Sequence, residues 1–404
     1  MLLRIAFRNI FRQKRRSILT ALTMFGGFTL AAFSIGWSDG TYSYVIDAFT
    51  RNRLGHIQIH GHGYLEKASL YNTIQDHEDI GGQLNELSGV QTWTPRLYSA
   101  GLASVGDNSA GAQIIGMDPA REAEATRFDK RIVAGRNLPT APAPEALLGK
   151  GLATILAAQP GDSLVILSQA ADGSIANDLY EIVGLVETGD EIGDRTAIYL
   201  HLLDAQELLV LEGRVHEIVV IADDLDDVEE LAQTIEAKLA NPDLEVAPWQ
   251  EFAKAFYQAM KLDQQGTWIS LFIILMIVAV GVLNTVLMSV LERTREYGVL
   301  RAIGTRPGQI FTLVICEVAI MTIFSIIIGA MLGTLVNHLL SIEGIAMPQA
   351  FSYGGIEFDR MYTEVNARSL YIPAITVLLS AIFVSAFPSI KAARIEPARA
   401  MRTH

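Results

Sequence analysis

The chain reads as a membrane protein with four transmembrane helices and a large α+β domain between the first and second of them. Half of the 404 residues are hydrophobic and the mean hydropathy is +0.30, too apolar for an ordinary soluble enzyme. The apolar residues gather into four runs: Ser17 to Trp37, Thr267 to Leu291, Ile310 to Leu340 and Leu370 to Ile390. A helix rising ~1.5 Å per residue crosses ~30 Å of hydrocarbon in about 20 residues, and each run is that long. Charge is segregated as well. Arg4, Arg8, Arg12, Lys14, Arg15, Arg16, Arg293, Arg295, Arg301, Arg306, Lys391, Arg394, Arg399 and Arg402 flank the runs, with only Glu292, Glu296 and Glu396 among them, in a chain whose net charge is −13. That asymmetry places both termini and the central loop in the cytoplasm.

The elements follow in order. Residues 1–16 are expected to form a cytoplasmic amphipathic helix: Leu3, Phe7, Ile10 and Phe11 share one face, while Arg4, Arg8, Arg12 and Arg15 line another, toward lipid headgroups. Residues 17–38 are the first span. Its apolar stretch exceeds the roughly 7–15 residues of a signal-peptide core, so an uncleaved anchor is expected. Residues 39–266 form the external domain. Alternation at His56 to His60, Ala112 to Ile115, Ser163 to Leu167 and Glu217 to Ile221 predicts strands. Asp227 to Leu239, with Val228, Leu231, Ile235 and Leu239 at helical spacing, predicts a helix.

Tyr42 to Phe49 extends the first span upward, and the stretch from Trp249, with Phe252, Phe256, Met260 and Leu262, suggests a stalk entering the second span, residues 267–291. Residues 292–309 are a cytoplasmic segment. Residues 310–340 are a third span, long enough to tilt or protrude. Residues 341–369 are a short outer loop, 370–390 the fourth span and 391–404 a cytoplasmic tail. The single cysteine, Cys316, lies in the third run, so the external domain has no disulfide and depends on its own core.

The central segment from Glu292 to Gly304 is more ordered than a turn requires. Val299, Leu300 and Ile303 fall on one helical arc with Arg301 turned away, and Gly304 followed by Pro307 supplies a stop. A short amphipathic helix at the inner membrane surface suits docking on another protein. Two polar residues interrupt the spans. Glu317 is costly at membrane depth, which points to a structural or coupling role, with an interfacial position and a proton relay as alternatives. Asn284 is expected to bond across a helix interface.

Other chemistry is thinly represented. His56, His60 and His62 share strand parity, but nothing places a further metal ligand beside them, and an exposed strand edge or surface histidines is the simpler expectation. No nucleophile elbow, zincin helix or paired-cysteine motif organises the acids, and an acidic domain does not suit nucleic acid. A phosphate-binding loop needs Gly-x-x-x-x-Gly-Lys-Ser/Thr; Gly149-Lys150 is followed by Gly151 and lacks the earlier glycine. ATP is therefore expected on another polypeptide.

The segment Glu292 to Gly304, followed by an apolar run containing Glu317, resembles the signature of permease subunits of the MacB/FtsX superfamily of ABC transporters, the type VII mechanotransmission class. Pro388 to Arg402 is similar to the closing motif of that family. Leu148–Ala153, Gln159–Asp162 and Trp249–Glu251 resemble positions in the lipoprotein-releasing Lol-type permeases, while the central motif is nearer the generic branch.

The resemblance implies a bacterial inner-membrane permease subunit without its own ATPase activity, paired with a second permease as a homo- or heterodimer. A cytoplasmic ABC ATPase carrying ATP and Mg would dock on Glu292, Arg293, Thr294, Arg295, Glu296, Gly298, Leu300, Arg301 and Gly304. ATP-driven motion would pass through stalks to a periplasmic domain, described in the family as a porter-like part with an inserted subdomain, here about 131–214. Release of lipoproteins is the leading expectation, with a periplasmic lipoprotein, chaperone or adaptor as possible partner beside the membrane lipids. The alternatives are MacB-like efflux of drugs or peptides and FtsX-like activation of an envelope hydrolase.

Overall fold

The computed structural model describes residues 2–12, 14–353 and 356–396. Arg399 and Arg402, and the side chains of Leu3, Arg4, Phe11, Lys14, Arg15 and Arg16, lie outside what is described. In chain order, α1 (Leu2–Arg12) precedes α2 (Lys14–Phe49), which closes on a π turn at Thr50–Leu54. The external domain then runs β1 (Ile57–Gly61), α3 (His77–Asn85), β2 (Val90–Val105), β3 (Asn108–Met117), α4 (Pro119–Thr126), β4 (Ile132–Gly135), β5 (Glu145–Gly149), α5 (Lys150–Leu156) and β6 (Ser163–Gln169). It continues through β7 (Ile175–Val186), α6 (Glu191–Asp194), β8 (Ala197–His201), α7 (Leu202–Leu209), β9 (Glu217–Ala222), α8 (Val228–Leu239) and β10 (Leu244–Pro248). The remainder comprises α9 (Trp249–Phe252), α10 (Lys254–Glu292), α11 (Thr294–Ala302), α12 (Pro307–Glu343), the strand pair β11 (Ile345–Tyr353) and β12 (Ile356–Met361), and α13 (Arg368–Ala393). The chain divides into a helical unit, up to Tyr42 with Met260–Met347 and the residues from Arg360 on, and a second unit, Ser43–Ala259 with Pro348–Asp359.

In the helical unit, among the described residues, α2, α10, α12 and α13 are the four helices long and apolar enough to span a membrane. Lipid is as apolar as leucine, so helices there associate through close packing rather than burial from water. The contact surfaces show this. A Cβ on Gly27 of α2 would lie 2.0 Å from Val278 Cγ2 of α10, and one on Gly329 of α12 would lie 2.7 Å from the Phe28 ring. Val278, Val282, Val286 and Val290 form one buried stripe of α10 against Met24 and Phe28 of α2 and Val314 and Val318 of α12. Asn284 does not take the interhelical role expected of it: it is exposed on α10, off the valine stripe. The buried amide is Asn337 of α12, whose Nδ2 donates to the Ala32 carbonyl at 3.1 Å, while the Thr363 hydroxyl donates to the Asn337 carbonyl at 2.6 Å.

The second unit is built on one ten-stranded sheet with the path β10-β1-β9-β2-β3-β8-β5-β7-β4, and β6 bridges β2 and β7. Strand β1 pairs antiparallel with both β10 and β9, and all five of its residues are buried. This overturns the expectation of exposed histidines. His56 and His60 are each only 1% exposed, because β1 is an interior strand; His62, just past the strand end, is exposed. His56 Nδ1 accepts from the Ala222 amide at 3.0 Å, and His60 Nε2 lies 3.2 Å from Glu217 Oε2. Among the described residues no three His, Cys, Asp or Glu side chains are grouped to hold a metal ion.

His56 gives the domain an acid-sensitive point. Burial first, and then the nearby Arg51 guanidinium, hold its imidazole down at about 4, against 6.5 for an ordinary histidine. Between those values the unfolded chain binds a proton that the folded one refuses, so stability is full above about pH 6.5 and falls as the pH drops toward 4. The loss is expected to be on the order of 2–3 kcal/mol. Amide exchange of β1 and β9 in the full-length protein, followed across that window, measures it; His56→Gln is expected to flatten the profile.

Next to β1, a charged cluster is fully enclosed. Arg96 of β2 donates through Nε to Glu122 Oε2 at 3.2 Å and reaches Glu217 Oε1 with Nη1 at 3.5 Å. Thr94 and Thr126 donate to the Glu122 carboxylate at 3.0 and 2.9 Å, and Tyr98 donates to Glu217 at 3.2 Å. Burial alone would push the Glu217 carboxyl up, yet the His60 bond and the Arg96 guanidinium hold it below the usual carboxylate range.

Candidate functional site: the helix between the second and third spans

Helix α10 ends at Glu292, and Arg293 leaves helical geometry with φ −96° and ψ 15° before the nine residues of α11 begin. At the far end the Thr305 amide bonds back to the Leu300 carbonyl at 3.0 Å, and Gly304 sits at φ +96°. That is a left-handed conformation a side chain would strain, so the glycine is required by the turn. Pro307 then opens α12 at a position where a missing N–H costs nothing, and the Arg306 amide is capped by Gln309 Oε1 at 2.9 Å.

Two charged contacts fix α11 to the spans. Arg293 is 6% exposed, and its Nη1 donates to Glu317 Oε2 of α12 at 2.8 Å. Its Nε donates to Glu296 Oε2 at 3.0 Å, and the guanidinium centre lies 5.1 Å over the Tyr297 ring. Tyr297 is 1% exposed and belongs to the buried core of the helical unit; burial pushes its phenol up to about 12, so it stays neutral. At the other end, Arg301 Nη1 donates to the Ala393 carbonyl, the last residue of α13, at 3.0 Å. A guanidinium at a helix C-terminus meets carbonyls that lack intrahelical donors. Glu317 is buried, and its second oxygen, Oε1, accepts from Asn9 Nδ2 of α1 at 2.7 Å.

This arrangement divides the expected apolar arc of α11. Tyr297 and Gly298 are buried and Leu300 packs against the core, whereas Val299 and Ile303 are 46% and 75% exposed. Arg301 reaches toward α13. The buried side is formed by the Tyr297 ring, Gly298 and the Arg293 and Arg301 tethers. The exposed side therefore carries Glu292, Arg295, Val299 and Ile303 at helical spacing, with Gly304 beyond; Thr294 is half-buried, its hydroxyl donating to the Leu291 carbonyl at 2.7 Å.

Sequence reasoning did not find Tyr297, or Arg293 as a partner inside the chain. One signal was available: an acid inside an apolar run demands a cation, and Arg293 stands at the end of the preceding span.

Four spans, an α+β domain in the loop between the first two, and a short tethered helix between the second and third are the layout of an ABC transporter permease subunit. The chain belongs to the MacB/FtsX superfamily: residues 17–238 match the MacB-like periplasmic core domain and residues 268–397 the FtsX-like permease C-terminal region. It is 21% identical over 351 residues to the lipoprotein-releasing system transmembrane protein LolC of Neisseria meningitidis serogroup B, covering 84% of this chain and 83% of that one. It is 23% identical over 420 residues to the macrolide export ATP-binding/permease protein MacB of Campylobacter jejuni, covering 98% of this chain and 60% of that one. The periplasmic region of MacB from Actinobacillus actinomycetemcomitans aligns at 17% identity with a TM-score of 0.37, covering 50% of this chain and 92% of that one.

Proposed function

We propose that this chain relays motion of a separate ABC ATPase, which binds ATP and Mg, to the external domain, in the release of lipoproteins from a bacterial inner membrane. The observation that carries the relay is α11 itself: a helix tethered to α12 through Arg293–Glu317 and to α13 through Arg301–Ala393, with a mixed apolar and charged face left open. A surface meant to receive a push must be rigid behind and accessible in front. The charge asymmetry puts that face, both termini and the tail on the cytoplasmic side, where the ATPase would be, with the domain of residues 39–266 outside, its region 131–214 as the inserted part. Permeases of this family work in pairs, and the partner here is a second copy or a related subunit.

The lipoprotein reading is supported by the LolC relative, which matches most of both chains. Efflux with a periplasmic adaptor is the second reading, supported by the match of nearly the whole chain to a macrolide exporter. The relay predicts that Val299→Glu combined with Ile303→Glu lowers the yield of co-purified ATPase roughly tenfold, the scale of losing an interface anchor. Unchanged co-purification would remove α11 as the docking surface. For cargo, photoreactive residues placed along the external domain in whole cells separate the readings. Crosslinks to lipoproteins support the first, an adaptor the second, and an envelope hydrolase would replace both with mechanical activation.

A further inference from the structure

The contacts of Glu317 and Arg293 close into a ring that includes the amino-terminal helix. Asn9 of α1 donates to Glu317 Oε1 at 2.7 Å, Arg293 holds Glu317 Oε2 at 2.8 Å and Glu296 Oε2 at 3.0 Å, and Arg12 of α1 forms an ion pair with Glu296 Oε1. Asn9 and Arg12 stand three residues apart, the spacing that sets two side chains on one helix face. Ala6, one turn earlier, is fully buried. Each carboxylate in the ring thus has one oxygen on Arg293 and the other on α1. A cavity of about 30 Å³ adjoins the ring, lined by Asn9, Ser17, Thr20, Arg293, Tyr297 and Glu317, room for a single water among polar groups.

The two links from α1 differ in character. The Asn9 link ends on a buried carboxylate in a low-dielectric setting, where a hydrogen bond is strong and its loss leaves an acceptor without a donor. The Arg12 link joins side chains that are 65% and 36% exposed, so water and salt weaken it. A contact set with a firm inner link and a weak outer one opens from the outside.

We propose that α1 is a latch on the coupling helix, with Asn9 and Arg12 as positioning residues that keep α11 in place by completing the Glu317 and Glu296 carboxylates. With α1 docked, α11 is braced against three segments; with α1 released, Arg293 and the packing of Tyr297 hold it to α12, and Arg301 holds it to α13. The proposal deepens the relay reading and rests on it for its purpose, but its test does not require the ATPase.

The test is amide exchange of residues 294–302 in the full-length chain in phosphatidylcholine nanodiscs. Asn9→Ala is expected to speed exchange there about tenfold and Arg12→Glu several-fold, because local opening follows the contacts that hold a segment. Arg12→Lys, which keeps a cation opposite Glu296, is expected to retain most of the protection, and Arg8→Ala, on the same helix but outside the ring, to leave it unchanged. Unaltered exchange in Asn9→Ala would overturn the latch. So would equal acceleration across α2, α10, α12 and α13, which would assign Asn9 to the stability of the bundle. A latch upheld here, together with unchanged ATPase co-purification in the Val299 and Ile303 variant, would sink the relay reading and leave the latch standing.

Discussion

Arg293→Met is expected to cost on the order of 3–5 kcal/mol and to disconnect α11 from α12, because it leaves Glu317 buried without its cation. The cost comes from the charge left behind more than from the bond removed. Glu317 is 8% exposed and sits inside an apolar helix, with Asn9 as its other described donor. Thermal unfolding in detergent measures the loss, and the decisive comparison is the double variant Arg293→Met with Glu317→Leu. Removing both charges removes the desolvation penalty, so the double variant is expected to recover most of the stability while remaining unable to couple. A double variant as unstable as the single one would refute the pairing. Arg293→Lys is expected to fall between, since a single ammonium does not reproduce a planar fork that serves Glu317 and Glu296 at once.

The second large effect lies in the external domain. Arg96→Met is expected to destabilise it by about 3–5 kcal/mol, because Glu122 and Glu217 both lose the buried guanidinium that they contact. The pH dependence identifies the cause. Loss of the guanidinium removes one of the charges that hold the Glu217 carboxyl below the usual carboxylate range against its burial, so its pKa rises in the variant and the destabilisation fades as the pH falls through it. The gap between variant and wild type should therefore be full near about pH 8 and shrink as the pH falls into the ordinary carboxylate range. Trp93 reports locally: its ring carries the Arg121 guanidinium at 4.0 Å and its Nε1 donates to Asn85 at 3.1 Å, on the same strand as Arg96. A gap that does not change with pH would mean that lost packing, not stranded charge, explains the variant.

What could be read from the sequence was local. The four spans follow from run length and hydropathy, and α8 from helical spacing, each a property of a short window. The strands found in advance, parts of β1, β3, β6 and β9, are those with compact apolar or alternating patterns. Strand β2 was missed although it is sixteen residues long. It contains Pro95 and Arg96, residues that a strand pattern does not favour; in the fold Pro95 pairs opposite Ile218, and Arg96 points into the charged cluster. The histidines of β1 were assigned to the surface because parity tells which residues share a face, not whether that face is covered.

The residues of the segment between the second and third spans were legible as a group and illegible in their contacts. Composition and position marked Glu292 to Gly304 as an ordered cytoplasmic helix and marked Glu317 as an acid in need of a reason. Whether Val299 or Tyr297 is buried depends on α12 and α13 closing over one side of a helix whose two sides are nearly matched in hydrophobicity. The partners of Glu317 lie 24 and 308 residues away in the chain.

By itself, then, the sequence determined the class of the protein: the spans, the segregation of the basic residues beside them, and the place of the α+β domain in the chain, because transfer of apolar and charged groups between water and lipid depends on local composition. Only the tertiary structure decided which way α11 faces, that Arg293 and Arg301 are tethers within the chain, and that α1 joins the ring around Glu317. Those are matters of pairing between distant segments, and a buried charge takes its meaning from the partner that the fold brings to it.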